Sequence, residues 1–347
     1  MKLQKFYNHL RNSLVTLAIL LFTSGATKAQ PQEAAFRIGF YNLENLFHPS
    51  DDSLKADEEF TPQGSRYWSY YRYNKKLNQM AKVILSLGEW EPPAIMGLEE
   101  VENRQVLEDL IGTRVLEKIS YRVVHYESPD RRGIDVALIY RLDKFRLIYS
   151  KPLPLKIAGD PAFKSRDMLY VKGVAGIEDT LHIIVCHWPS RYGGQAASEP
   201  KRIAAAETLH RFLDSLQTAH QQPNVIIGGD FNDEPANASL KLLCQAREGD
   251  SANLVNLMAE MDPNKGSHRH HGVWTYLDQI IVSRGLLITE KPRVKNDQAK
   301  VLSYDFLLEY DEKYPGYKPY RHFLGLRYHG GFSDHLPVYL DLKLSEY

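Results

Sequence analysis

Apolar and polar positions follow two rhythms along this chain. Short runs rich in Val, Ile, Leu and Tyr recur at residues 37–41, 94–98, 136–140, 169–174, 181–186, 225–228, 277–283 and 338–342, and their length and composition predict strands. Between them, residues 74–87 place Leu77, Met80, Ala81, Ile84 and Leu85 at spacings of three and four. Residues 200–216 do the same with Ile203, Ala206, Leu209, Leu213 and Leu216, so two helices with one apolar face each are predicted. Strands and helices interleaved over the whole length predict layered α/β packing, sheets inside and helices outside. Residues 296–328 break both rhythms. That stretch is polar and Tyr-rich and reads as a long ordered loop, a kind of segment that tends to carry function. No internal repeat, low-complexity tract or linker divides the chain.

The first 29 residues differ from the rest. Lys2, Lys5 and Arg11 precede an apolar run at residues 14–22, and Thr27-Lys28-Ala29 offers a small residue for cleavage before Gln30. This is the pattern of a secretory signal, and the apolar run is about half of the roughly 20 residues a spanning helix needs. The expectation is a signal at residues 1–29 and one domain at residues 30–347, secreted or periplasmic, without a stable membrane anchor and monomeric. The formal balance of 43 basic and 43 acidic residues includes four bases in that segment; the remainder holds 39 against 43, a net of about −4. A strongly basic, phosphate-clamping polymer binder is thereby excluded as a global description. Cys186 and Cys244 are the only cysteines, too few to make the fold disulfide-dependent, and Cys186 ends an apolar run as a core thiol would.

The chemistry lies where the apolar runs stop. Residues 37–41 run into Asn42 and Glu44, and 94–98 into Glu99 and Glu100. Residues 181–186 deliver His187, and 225–229 deliver Asp230 and Asn232. Asp278 stands at the start of 277–283, and Ser333-Asp334-His335 precede the final run. Singly, each has a structural reading as a turn residue, helix cap, first-turn acid or core histidine. Together they place acids, amides and imidazoles along one sheet edge, where open sheets bind ligands. Glu, Asp and Asn oxygens without clustered Cys suit a hard cation, Mg²⁺ or Mn²⁺. Two His and a spare Asp suit proton transfer. One general base supplies about 3–5 kcal/mol of the roughly 8–23 kcal/mol that ester hydrolysis requires, so cation and acid–base groups would be needed together.

The ordered motifs Tyr41-Asn42-Leu43-Glu44-Asn45, Leu98-Glu99-Glu100-Val101-Glu102-Asn103, His187-Trp188-Pro189-Ser190, Gly229-Asp230-Phe231-Asn232-Asp233, Leu277-Asp278-Gln279-Ile280 and Ser333-Asp334-His335-Leu336-Pro337 resemble the endonuclease/exonuclease/phosphatase superfamily. The resemblance runs from about residue 36 to 344. It implies an α/β four-layer sandwich, with two mixed β-sheets packed face to face and flanked by helices. It implies Glu100 as principal metal ligand, since Glu99 stands where the family usually has Gln, with Asn42, Glu44 and Asp334 completing the site around Mg²⁺ or Mn²⁺. Asp230 and Asn232 would position the attacking water and hold the phosphate. Asp278 would orient the catalytic His335, and His187 would be the second histidine of the deoxyribonuclease and sphingomyelinase branches. Arg166 would face the phosphate, and Asp135 would support His187.

The resemblance implies in-line hydrolysis of a phosphodiester, and the expected substrate is nucleic acid for an exported nuclease. Basic spots at Arg131-Arg132 and His268-Arg269-His270-His271, with Lys313, Lys318 and Arg321 in the Tyr-rich stretch, could contact a phosphate chain. The four residues at 268–271 read as a polar loop in preference to a metal site. A lipid head-group or inositol-phosphate esterase is the alternative. The first would call for an exposed apolar hairpin. The second would call for Asp-Arg-Ile where the chain has Asp278-Gln279-Ile280. A binding module without catalysis would have no need of the intact acidic and histidine set.

Overall fold

Strand β1 (Phe36–Leu46) is almost wholly buried along its eleven residues, as a central strand covered on both faces must be. In the computed structural model, which describes residues 36–88, 91–157, 159–220, 222–245 and 253–345, it lies in the middle of a six-stranded mixed sheet. It pairs in parallel with β2 (Ile95–Val101) and antiparallel with β18 (Val338–Lys343). Beyond β2 come β4 (Asp135–Arg141) and β3 (Tyr121–His125), and beyond β18 comes β13 (Arg293–Val301). The second six-stranded sheet has the order β5 (Phe145–Leu153), β6 (Met168–Ala175), β7 (Asp179–His187), β8 (Val225–Asp230), β12 (Asp278–Ser283), β9 (Leu254–Asn256). Its β7 and β8 are parallel and its other neighbours antiparallel.

The inner faces of the two sheets make one core, with Ile38, Phe40, Leu138, Val171, Ile183, Val185, Ile226, Ile280 and Leu340 among its members. Phe40 sets the spacing. Its ring packs between Gly97 and Gly228, where an added Cβ would come within 2.4 and 2.3 Å of ring carbons. Helices α1 (Tyr70–Leu87) and α2 (Arg104–Ile111) cover the outer face of the first sheet through Leu77, Met80, Ile84, Val106 and Leu110. Helices α3 (Gln195–Ala219) and α4 (Ala238–Cys244) cover that of the second through Ala206, Leu209, Leu213 and Leu240. Helix, sheet, sheet, helix is the expected four-layer sandwich.

The predicted helices are present and longer than the apolar pattern indicated. α1 begins after Ser69, whose side chain accepts from the Arg72 N–H, and α3 accommodates Pro200. Of the strands in the two large sheets, β3, β5, β9 and β13 had no matching apolar run. β5 is an edge strand whose Arg146, Ile148 and Tyr149 face out, so its pattern does not alternate cleanly. Residues 296–328 depart from the expected loop. They hold the end of β13, a 3-10 turn (Asp305–Leu307), and two short hairpins, β14 (Leu308–Tyr310) with β15 (Tyr317–Pro319) and β16 (Phe323–Leu324) with β17 (Arg327–Tyr328). Residues 268–271 open another hairpin, β10 (His268–His270) with β11 (Val273–Thr275), instead of the expected loop. The expected export signal lies outside the described residues. Cys186 is buried, and both cysteines are free thiols.

Candidate active site

Strand register gathers the polar residues at one end of the sandwich. Asn42 lies beside Glu99 in the β1–β2 pairing, and His187 beside Asp230 in β7–β8. Because β12 runs antiparallel to β8, its first residue, Asp278, faces Asp230. Because β18 runs antiparallel to β1, the residues just before it, Asp334 and His335, arrive where β1 ends. Asn42 Nδ2 donates to Asp230 Oδ2 at 3.2 Å, so the two sheets are hydrogen-bonded to each other here.

The backbone bends at these strand ends. Glu44, Asn45, Glu100 and Asn232 all have positive φ, between 51° and 61°, a conformation that costs a residue with a Cβ about 1–2 kcal/mol. At Glu100 the register of β2 shifts against β4, so successive glutamates take different surroundings. Glu99 is fully buried with neither carboxylate oxygen hydrogen-bonded. The Glu100 side chain is 15% exposed and reaches the cluster. Gly229, at φ 125°, is required by contact as well as conformation, since a Cβ there would meet the Cys186 carbonyl oxygen at 2.1 Å.

Asp230 is the hub. Its Oδ1 accepts the Asn232 N–H at 2.8 Å, and its Oδ2 accepts Asn232 Nδ2 at 3.2 Å. Nε2 of His187 lies 3.6 Å from Oδ2, and Nε2 of His335 lies 3.9 Å from it. His335 Nδ1 pairs with Asp278 Oδ2 at 2.7 Å, which fixes the ring so that Nε2 faces Asp230. The two histidines have opposite electrostatics. Burial, then Arg166, Arg132 and His335, hold His187 well below its ordinary range, so it is neutral. Burial also disfavours charge on His335, but the carboxylates of Asp278 and Asp230 outweigh it and raise the imidazole well above its ordinary range. Asp230 itself is pushed up to about 7, chiefly by burial, with Asp278 adding to the effect and His335 opposing it. A carboxyl poised near neutrality beside a charged imidazole suits proton exchange with water.

Glu100 takes one main-chain donor, Asn45 N–H at 2.9 Å on Oε2, and its Oε1 is 3.8 Å from the neutral His187. Among the described residues no Lys or Arg stands within ion-pair distance of it. A carboxylate with no cationic side chain paired to it and a neighbouring imidazole fits a hard divalent cation. Ligand atoms of Asp230, Asp278 and His335, and of His268, Asp334 and His335, also lie within 4.8 Å of one another. Asn232 Nδ2 additionally donates to the Trp188 carbonyl at 3.1 Å, which turns the amide toward the His187 strand end.

Three expected residues have other surroundings. Glu44 gives both oxygens to main-chain donors, His322 N–H at 2.6 Å and Phe323 N–H at 3.1 Å, so it anchors the β16 hairpin. Arg166 is buried, paired with Asp130 at 3.3 Å and donating to the Trp188 carbonyl at 2.7 Å, and so does not open toward a substrate. Asp135 does not support His187. It pairs with His125 at 3.0 Å and accepts the Ser128 N–H, while His187 Nδ1 has no hydrogen-bond partner.

Four further residues join the site, of which His268 and Arg321 were expected only as basic spots for a phosphate chain. Buried Lys76 of α1 donates to the Glu44 carbonyl at 2.9 Å from beneath. Gln279 braces the Asp230–Asp233 turn by donating to the Asp233 carbonyl at 2.6 Å. His268 bridges to His335, their ring centroids 4.9 Å apart. Arg321 pairs with Asp334 at 2.7 Å. Gln279 directly follows Asp278, so its position was available in the sequence; the other three depend on contacts across the fold.

Solved structures similar to this chain share the fold. They include the human Nocturnin catalytic domain (17% identity, 90% of this chain and 95% of that one, TM-score 0.54) and a mannosyl-6-phosphatase from Bacteroides thetaiotaomicron (17%, 89% and 100%, 0.54). D. rerio TDP2 in complex with a single-strand DNA product is a third (13%, 90% and 100%, 0.54). No curated protein matches by sequence. The model of the Endonuclease/Exonuclease/phosphatase family matches residues 37–344, and the chain belongs to that family, as a hydrolase acting on phosphate ester bonds.

Proposed function

We propose that this protein is an exported nuclease that hydrolyses phosphodiester bonds by in-line attack of an activated water, with Mg²⁺ or Mn²⁺ as cofactor. The family depends on divalent metal, and acidic and histidine groups of this site lie close enough together to hold one. The observation that carries the reading is the Asp278–His335–Asp230 arrangement facing Glu100, with a charged and a neutral histidine on one carboxylate.

Glu100, with Asn42 and with Asp334 nearby, would hold the cation, which when bound supplies charge stabilisation on a phosphate oxygen. Asp230 takes the proton of the attacking water. His335, kept charged by Asp278, offers Nε2–H to the phosphate. Asn232 and His187 hold the developing charge; as the phosphorus–oxygen bond breaks, the leaving oxygen, hydrogen-bonded by His187 Nε2, takes its proton from solvent water, and Asp230 returns the proton it took to solvent. These preorganised donors furnish the part of the barrier lowering that acid–base groups alone do not reach. Supporting a nucleic-acid substrate, the half-exposed Arg132, paired with Asp130 at 3.7 Å, is near enough to depress His187. Export rests on the pattern of residues 1–29. Mass spectrometry of the secreted protein should find Gln30 at the N-terminus, whereas an intact Met1 would refute cleavage.

The test of activity is hydrolysis of bis-(p-nitrophenyl) phosphate and p-nitrophenyl phosphate with Mg²⁺, Mn²⁺ or EDTA, followed by DNA and RNA. Metal-dependent diester turnover extending to DNA or RNA supports the nuclease; turnover of the monoester alone overturns it in favour of a phosphatase.

A further inference from the structure

We infer that Arg321, in the segment between β15 and β16, is a substrate-binding residue that donates to a non-bridging oxygen of the scissile phosphate. This rests on the phosphoesterase reading above. Around the cluster the cations differ in what they can reach. Lys76 is fully buried and committed to main-chain carbonyls, and Arg166 is buried against Asp130 and Trp188. The Arg321 side chain is 39% exposed, with Nη2 on Asp334 Oδ2 at 2.7 Å. Its Nε is buried and paired with Glu44 Oε1 at 3.5 Å. Among the described residues Nη1 has no hydrogen-bond partner and is not buried, so the fork keeps a donor at the mouth of the site, and planar guanidinium forks suit phosphate oxygens.

The position is built as well as charged. His322 and Phe323, which follow Arg321, give their N–H groups to the two oxygens of Glu44. His322 Nδ1 is bonded to the Gly331 carbonyl at 2.9 Å, and its ring packs edge-on against Trp68 at 5.3 Å. Phe323 packs against Phe60 and Trp68. Moving Arg321 away would strip hydrogen bonds from a buried carboxylate, a costly change. Asp334, its partner, directly precedes His335, so the guanidinium is tethered next to the catalytic imidazole. Glu44 is thus a positioning residue for this arginine.

A contact to phosphate made alike in ground and transition states raises KM on removal and leaves kcat nearly unchanged. The test compares wild type, R321A and R321K in steady-state hydrolysis of bis-(p-nitrophenyl) phosphate. It also measures calorimetric binding of inorganic phosphate and of Mn²⁺, and melting temperature. The expected result is a tenfold or larger rise in KM and in the phosphate Kd for R321A, with kcat within threefold. R321K should be intermediate, and melting temperatures should be close. A purely structural ion pair would leave KM and phosphate Kd at wild-type values in R321A while Mn²⁺ affinity changes or both variants melt early; that result overturns the inference. Wild-type protein that binds phosphate without turning over either ester would sink the proposed activity alone. Failure of wild type to bind phosphate would overturn the role of Arg321 as well.

Discussion

Glu99 and Glu100 are chain neighbours with opposite chemistry. Burial raises the Glu99 carboxyl well above its usual range, and neither of its oxygens finds a donor, so the acid is neutral in the folded protein. A primary amide should serve there. E99Q is expected to keep activity within about threefold of wild type, whereas E100Q is expected to lose more than about 10²-fold, because Glu99 is a buried neutral acid without a hydrogen bond while Glu100 is partly exposed and reaches His187. Diester turnover of the two variants decides it, and equal losses would refute the division of labour. For His335→Ala the expected loss is about 10²–10⁴-fold, the usual worth of a positioned acid–base group. Most of these residues were legible in the sequence because each ends or opens an apolar run, so strand prediction alone located them. Arg321 reads only as one of several basic residues that could contact a phosphate chain, and nothing in the sequence singles out Lys76. Lys76 reads as one more polar residue of an amphipathic helix, and its burial follows from the carbonyls of Glu44 and Phe332, 32 and 256 positions away.

At the scale of elements, the two parallel pairs position the site and their packing sets its dimensions. Phe40 fills the space left by Gly97 and Gly228, so G228A must push the ring or the strand and should cost about 1–3 kcal/mol, seen as a lower melting temperature. An unchanged melting temperature would mean the inter-sheet space is looser than the contacts show. On the outer face of the second sheet, His182 of β7 is stacked on Tyr170, with its Nδ1 2.8 Å from the hydroxyl. Burial, with His220 and Lys172 adding, lowers it to about 4, against an ordinary value near 6.5. The unfolded chain binds the proton first, so this group's contribution is present above about 6.5 and is lost as pH falls toward about 4. H182Q should therefore lose less melting temperature than wild type between pH 7 and pH 5; parallel curves would contradict the assignment. The hairpins within residues 296–328 were not legible because their strands are two or three residues long and their side chains pack through aromatic edges, which leave no alternation to read.

For the whole molecule, the sandwich was foreseeable from interleaved strands and helices together with motifs spread from Asn42 to His335. The partners across the cleft were not foreseeable. Glu44 and the hairpin it anchors are separated by 278 positions, and composition carries no trace of such a bond. Function arises because two sheets, each able to present only part of the donor set, meet at Asn42 and Asp230. The central claim is that this meeting forms one metal-dependent centre in which Glu100 and His335 are both indispensable. The most direct measurement is turnover of bis-(p-nitrophenyl) phosphate by wild type, E100Q and H335A, each with Mg²⁺ or Mn²⁺ and with EDTA, after circular dichroism shows all three folded. Metal-dependent turnover in wild type, abolished by EDTA and reduced at least about 10²-fold in both variants, is the expected result. Turnover that persists in EDTA, or near-wild-type rates in either folded variant, would contradict it.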